Sequence, residues 1–310
     1  MSSFKKGFYG LIAFFVPLMA VLTPYDIEIT NYLRAHSLVG FREFMAQTIF
    51  EGDPPGGGDP VTLFIVMALL LYLLANLPKA TAALKRWRPF YGFILATSLT
   101  GALVMVRLLK FFVGRARPRL VFGDAGLPFT NWFEVGPQAI TKSFYHGSFP
   151  SGHTASVMCL ICLLYIYSTG SVRAGRGGFR RILLALPILT YAAMMALART
   201  MSYAHWITDC IFSIAAVWTI AQLFFYVVLR VPEEMARAEE GRPAPLKLWE
   251  LRFSLYILVL AAGVIAAGRG MGELSGEFAM KSAIMVIGGF LISLISFRRG
   301  RSLRRRALQL

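Results

Sequence analysis

Residues Phe90 to Val113 read FYGFILATSLTGALVMVRLLKFFV, an apolar run whose only charges are Arg107 and Lys110. A helix needs about 20 apolar residues to cross roughly 30 Å of hydrocarbon, so this run is long enough to span a bilayer. It stops at Gly114-Arg115-Ala116-Arg117-Pro118, where glycine and proline distort or end a helix and arginine brings charge to its end. The same pattern recurs on both sides. Further candidate spans run Phe8 to Thr23, Val61 to Leu77, His153 to Ser168, Ile182 to Ala198, His205 to Leu229, Phe253 to Gly268 and Lys281 to Phe297. With 56% hydrophobic and 15% charged residues and a mean hydropathy of +0.60, the composition is far from that of a soluble domain. The expected fold class is an all-α polytopic membrane bundle, with a six-helix core and two additional C-terminal transmembrane helices. The expected divisions are 1–230 for the core, 231–252 for a cytoplasmic linker, and 253–310 for a hairpin with a basic tail.

Lys5 and Lys6 before the first span have the look of a secretory signal. Pro17 and Pro24 interrupt that span, and no small-x-small cleavage site precedes Asp26, so a retained anchor is expected. Orientation follows from the basic residues in the connections. With a cytoplasmic N-terminus, about two-thirds of the 32 Lys and Arg fall inside. They are Lys5 and Lys6; Lys79, Lys85, Arg86 and Arg88; Arg173, Arg176, Arg180 and Arg181; Arg230, Arg237, Arg242, Lys247 and Arg252; and six arginines from Arg298 to Arg306. The other side receives Arg34, Arg42, Arg115, Arg117, Arg119, Lys142, Arg199, Arg269 and Lys281. Both termini are therefore expected in the cytoplasm of a bacterial inner membrane, with the outer loops in the periplasm.

A net charge of +16 raises the question of nucleic acid. Its arginines flank membrane spans, where they fix topology and meet anionic headgroups, so membrane lipids and no nucleic acid are the expected partners. Cys159, Cys162 and Cys210 all lie inside apolar spans; the single C-x-x-C has no second pair, which reads as core and not as a metal site. Glu51 to Pro60, EGDPPGGGDP, breaks any helix and lacks the ligand spacing of a calcium loop. A solvated outer connection is expected there, bordering the entrance to a site.

Three short polar stretches sit at the outer ends of apolar spans, where ionisable groups are costly and point to function. In the first, Lys110 and Arg117 are seven residues apart, close to two helical turns, so both are expected on one side of a helix. An arginine fork with a lysine point charge suits a phosphate. In the second, Phe149-Pro150-Ser151-Gly152-His153, proline pre-sets a helix start, Ser151 is a good cap, and Gly152 leaves the backbone open to an anion. His153 beside that anion suits a general acid, while His146 belongs to the preceding loop. In the third, His205 and Asp209 stand at i and i+4, so a carboxylate holds one ring nitrogen and leaves the other free to attack. Arg199 adds a guanidinium for charge on a transferring phosphoryl group. Arg107 is expected to be structural.

Lys110-x6-Arg117-Pro118, Pro150-Ser151-Gly152-His153 and Arg199-x5-His205-x3-Asp209 together resemble the three-part signature of the type 2 phosphatidic acid phosphatase (PAP2) superfamily of lipid phosphatases. The resemblance extends over about Val61 to Leu229, with the last two spans outside it. It implies that Lys110, Arg117 and Arg199 bind phosphate oxygens with Ser151 and Gly152. It further implies that His205 is the nucleophile of a phosphohistidine intermediate, that Asp209 orients it, and that His153 protonates the leaving group. The substrate it implies is a lipid phosphate or diphosphate, hydrolysed without a cofactor or metal ion. Ala198 departs from the pattern, since serine usually precedes the motif's arginine. Two alternatives stand beside this reading: transfer of the phosphate to a lipid or sugar acceptor, and transport of an anion or lipid.

Overall fold

The computed structural model describes residues 2–140, 146–168, 177–242, 246–273 and 279–308. Lys142, Arg173 and Arg176, counted above in the charge pattern, lie outside these residues. All described secondary structure is helical. The helices are α1 (Ser2–Leu22), α2 (Asp26–Ala35), α3 (Val39–Ala46), α4 (Asp59–Ala75), α5 (Ala82–Thr97), α6 (Val106–Val113) and α7 (Pro118–Val121). After them come α8 (Gly152–Met158), α9 (Gly177–Met201), α10 (Ile207–Leu223), α11 (Val231–Glu239), α12 (Trp249–Glu273) and α13 (Ala279–Leu308). An eight-residue π-helical stretch, Ser98–Met105, joins α5 to α6, and a second, Phe224–Val228, ends α10.

Among the described residues, six helical stretches are long and apolar enough to cross a membrane: Phe4–Ala35, Ala82–Val121, Ile182–Met201, Ile207–Val228, Trp249–Glu273 and Met280–Leu308. Two of the spans expected from sequence are shorter as helices, Asp59–Ala75 and Gly152–Ile166. The chain is a polytopic helical bundle. Exposed apolar side chains such as Phe14, Val16, Leu70, Ile284, Ile287 and Phe290 cover its sides, as a surface facing hydrocarbon requires. Inside, Phe90, Phe93, Tyr165 and Phe225 meet edge to face or tilted, with centroids 4.8 to 5.7 Å apart.

The glycine-rich connection is solvated over Glu51 to Pro55, as expected, but Gly56 to Asp59 are buried. Asp59 is buried at the first position of α4, where it accepts hydrogen bonds from Thr48 Oγ1 (2.7 Å), Ile49 N–H (2.9 Å) and Gly56 N–H (2.8 Å). Tyr191 of α9 donates to the Gly57 carbonyl. A buried carboxylate with three donors closes the segment onto the bundle. The linker region likewise contains a helix, α11, packed against α5.

The C-terminal hairpin is held by close backbone approach. A Cβ on Gly263 would lie 2.6 Å from the Gly289 carbonyl, and one on Gly289 would lie 2.4 Å from the Gly263 carbonyl. Small residues let helices touch where lipid gives no hydrophobic drive to pair them. The hairpin docks on the core through Tyr72 Oη, which donates to Glu250 Oε2 at 2.7 Å, with Arg88 Nη2 3.7 Å from Glu250 Oε1. Farther along α12, Gly268 packs against Phe111 and Phe112. Thus α12 runs from the end holding the α4 C-terminus to the end holding Lys110. The three polar stretches gather at that second end, and the first residues of α1 and last turn of α13 lie at the opposite one, near Gln222 and Val228.

Candidate functional site

The site is built where four chain segments meet: the end of α6, the loop into α8, the end of α9, and the turn into α10. Gly114 ends α6 with φ +58°, and a Cβ there would lie 1.9 Å from the Ala139 nitrogen. Only glycine meets both demands. Because the helix stops at Gly114, Lys110 and Arg117 are not on one helical face as the seven-residue spacing suggested. Lys110 belongs to the last turn of α6, and Arg117 caps α7 from an extended backbone. Lys110 Nζ donates to the Gly147 carbonyl at 2.8 Å, and Arg117 Nε to the carbonyl of exposed His146 at 3.2 Å. Both cations thereby grip the loop that leads to Ser151.

The His205–Asp209 pair is also formed differently from a helix face. Helix α10 begins at Ile207, so His205 precedes the capping residue Trp206 while Asp209 occupies the first turn. Asp209 Oδ2 accepts the Trp206 N–H at 3.0 Å, which satisfies a donor otherwise orphaned at the helix start. His205 Nδ1 lies 2.7 Å from the Ser148 carbonyl and 3.7 Å from Asp209 Oδ2. A carbonyl only accepts, so Nδ1 carries the proton and Nε2 keeps its lone pair. Ser148 Oγ in turn donates to Asp209 Oδ2, so the carboxylate holds the residue that holds the imidazole. Burial pushes the His205 pKa well below its ordinary range, against the opposing pull of Asp209, and keeps the ring neutral.

Behind Asp209 stands a residue that sequence reading counted only as outer-loop charge. Arg115 is fully buried, and its Nη1 donates to Asp209 Oδ1 at 2.7 Å and to Thr208 Oγ1 at 2.9 Å. Its Nη2 donates to Asp26 Oδ2 at 2.7 Å, and its Nε to the Thr130 carbonyl at 2.7 Å. The guanidinium also sits 5.2 Å from the ring centroids of both Phe129 and Trp206. Asp26, at the start of α2, accepts from Thr208 as well, through Oγ1 at 2.6 Å and the backbone N–H at 3.2 Å. The missed signal was a third basic residue in the stretch from Lys110 to Pro118, with the acid Asp26 just past the end of the first span.

On the open side, Lys110, Arg117 and Arg199 all act electrostatically on His153, and Lys110 and Arg199 also act on His205. Arg199 Nε is buried with no hydrogen-bond partner among the described residues. A buried guanidinium donor left unpaired is costly, and three cations drawn together repel one another; an anion between them relieves both. Ser151 caps α8, accepting the Thr154 N–H at 3.4 Å and sharing a 3.0 Å hydrogen bond with the Thr154 hydroxyl. Gly152 follows it, with ordinary contact distance to Val106 for an added Cβ. Ala198 is fully buried, and its carbonyl accepts from Ser202 Oγ at 2.7 Å. Among the described residues no group of three or more His, Cys, Asp or Glu is placed to hold a metal ion. Cys159, Cys162 and Cys210 are buried free thiols.

A neutral imidazole with one nitrogen anchored and one free, facing a cluster of lysine and arginine, can attack an electrophile that carries negative charge. The model of one protein family, the PAP2 superfamily, matches residues 91–233, which include all eight residues of the three polar stretches assigned above. No solved structure matches the chain.

Proposed function

We propose that this chain, a membrane phosphatase belonging to the PAP2 superfamily through residues 91–233, hydrolyses a lipid phosphate or diphosphate by way of a phosphohistidine at His205. The observation that carries this reading is the hydrogen bond from His205 Nδ1 to the Ser148 carbonyl, which leaves Nε2 as the nucleophile. Lys110, Arg117 and Arg199 bind the phosphate oxygens and offset the charge that spreads over them as the phosphoryl group moves. His205 Nε2 forms a bond to phosphorus while the bond from phosphorus to the lipid oxygen breaks. The bound phosphate's negative charge offsets the three cations around His153, which then carries the proton that it gives to that leaving oxygen. Water then attacks phosphorus as the phosphorus–Nε2 bond breaks, His153 takes a proton from the water, and inorganic phosphate leaves with the lone pair of His205 Nε2 restored.

Asp209 keeps Ser148 and the start of α10 in place, and so fixes the imidazole through its neighbours as well as by its own charge. Arg115 and Asp26 are positioning residues in this scheme: they hold Asp209 and touch no substrate. The positive-residue pattern supports a cytoplasmic location for the end that holds Lys5, Lys6 and the α13 arginines, and with it a site at the periplasmic face of an inner membrane. Lipid phosphates at that leaflet reach the site with their chains still in hydrocarbon.

The test uses purified full-length protein in detergent or bilayers, with undecaprenyl diphosphate, phosphatidylglycerol phosphate, phosphatidate and a lipid A phosphate as substrates. Release of inorganic phosphate in the presence of EDTA, lost in His205→Ala, is the expected result. Release that requires added metal, or that survives the substitution, contradicts the mechanism.

A further inference from the structure

The other end of the molecule carries a second cluster of cations, on the C-terminal hairpin and outside the family-matched region. Helix α13 holds six arginines between Arg298 and Arg306 and no Asp or Glu anywhere along its length. Arg304 is engaged: Nε donates to the Val228 carbonyl at 2.7 Å and Nη2 to the Val227 carbonyl at 2.8 Å, which ties α13 to the end of α10. Arg298, Arg301 and Arg305 are spaced i, i+3 and i+7, so they share one face of the helix, and all three are exposed. They line a cavity of about 470 Å³ together with Ser302 and Phe297.

Directly beside it lies a cavity of different character. A groove of about 350 Å³ runs between α13, α12 and the end of α10, walled by Val227, Phe253, Tyr256, Ile257, Leu260 and Phe297. Arg301 and Phe297 line both cavities. A basic rim joined to an apolar groove is complementary to an amphiphile with an anionic head. A soluble anion has no use for the groove, and a neutral lipid has no use for three arginines. From Gly268, packed near Lys110, to Phe253, beside this groove, α12 rises about 22 Å, so the two cation clusters lie at opposite ends of the bundle.

We infer that the α12–α13 hairpin carries a binding site for an anionic phospholipid of the leaflet opposite the candidate phosphatase site. Its headgroup phosphate lies on Arg298, Arg301 and Arg305, and an acyl chain lies in the groove beside Tyr256, Ile257 and Phe297. Like charges one turn apart on α13 repel, and a bound phosphodiester offsets that repulsion while holding the hairpin against α10. The site is independent of the chemistry at His205. Its ligand has a phosphodiester head and is not a substrate for terminal phosphate removal.

The experiment places the full-length protein in phosphatidylcholine bilayers containing trace spin-labelled phosphatidylglycerol or spin-labelled phosphatidylcholine, and measures the motionally restricted fraction of each. Wild type is expected to prefer the phosphatidylglycerol label. Arg298→Gln/Arg301→Gln/Arg305→Gln is expected to weaken that preference by on the order of 10²-fold, since each arginine near the surface adds to the attraction. Lys5→Gln/Lys6→Gln/Lys79→Gln removes the same formal charge from the same end and is expected to keep the preference. Ile257→Trp, which fills the groove with all arginines intact, is expected to lose it, and millimolar inorganic phosphate is expected to leave it unchanged. Equal loss in the lysine variant shows a diffuse field and no site; unchanged preference in the arginine variant, or displacement by inorganic phosphate, also overturns the inference. A wild type that shows no preference between the two labels overturns it too.

Discussion

At the scale of single residues, the dependence of His205 on its neighbours is specific enough to test. Arg115 makes two charge-assisted hydrogen bonds to carboxylates and is shielded by two aromatic rings. Arg115→Gln is expected to leave two buried carboxylates without their cation and to destabilise the fold by about 3–5 kcal/mol. Arg115→Lys keeps the charge but loses the fork, so it is expected to fold and to lower kcat by on the order of 10²-fold with little change in KM, because Asp209 and Ser148 shift slightly. Equal effects on stability and turnover in both variants would mean that Arg115 is structural alone. The protonation of His205 gives a second test. Its folded-state pKa is below the ordinary value of about 6.5, so the unfolded chain binds more protons at this residue. Its contribution to stability is complete above pH about 6.5 and is lost as pH falls below it. Unfolding temperature in wild type is expected to drop more between pH 7.5 and 5.5 than in His205→Asn. The polar residues themselves were legible in sequence, because ionisable groups beside hydrocarbon need a reason. The Ser148 and Gly147 carbonyls that position His205 and Lys110 were not, since every residue has a carbonyl and sequence carries no mark of the one that points inward.

Among the helices, the hairpin's attachment to the core rests on few contacts of strong character. Tyr72→Phe removes the donor to Glu250 and leaves a buried carboxylate short of a partner, at an expected cost of about 1–3 kcal/mol in thermal unfolding of the detergent-solubilised protein. Gly289→Leu forces α13 away from the Gly263 carbonyl and is expected to speed limited proteolysis within α12 and α13 while cleavage within α1 to α10 is unchanged. Full resistance in that variant would show that the two helices do not depend on backbone contact. The apolar runs of α1, α5, α9, α10, α12 and α13 were readable from length and hydropathy, because hydrocarbon thickness sets how long a spanning helix must be. Their interruptions were harder to read. The seven-residue spacing of Lys110 and Arg117 pointed to one continuous helix face, yet Gly114 closes α6 between them with a left-handed residue. Likewise the i, i+4 spacing of His205 and Asp209 suited a helix, but their contact comes from a capping turn in which His205 lies outside α10. In each case residue chemistry survived the change of backbone, since both routes bring the same groups to the same end.

For the whole molecule, charge is divided between two tasks at two ends. Buried cations at the site end face a neutral imidazole and a firmly held carboxylate, whereas exposed arginines at the opposite end meet solvent and headgroups. Orientation is testable with an impermeant thiol reagent on intact cells, because the native cysteines are buried. Phe133→Cys, on an exposed loop at the site end, is expected to react, and Ser302→Cys, beside the α13 arginines, to react only after lysis. The reverse labelling would invert the topology. The most direct test of the mechanism is to mix full-length protein with lipid substrate bearing a labelled terminal phosphate, quench in alkali within milliseconds, and locate the label by mass spectrometry. Alkali-stable, acid-labile phosphate on His205, formed and lost at rates that match turnover, is the expected result. Phosphate release with no label on His205, or with label on another residue, would contradict nucleophilic attack by this histidine.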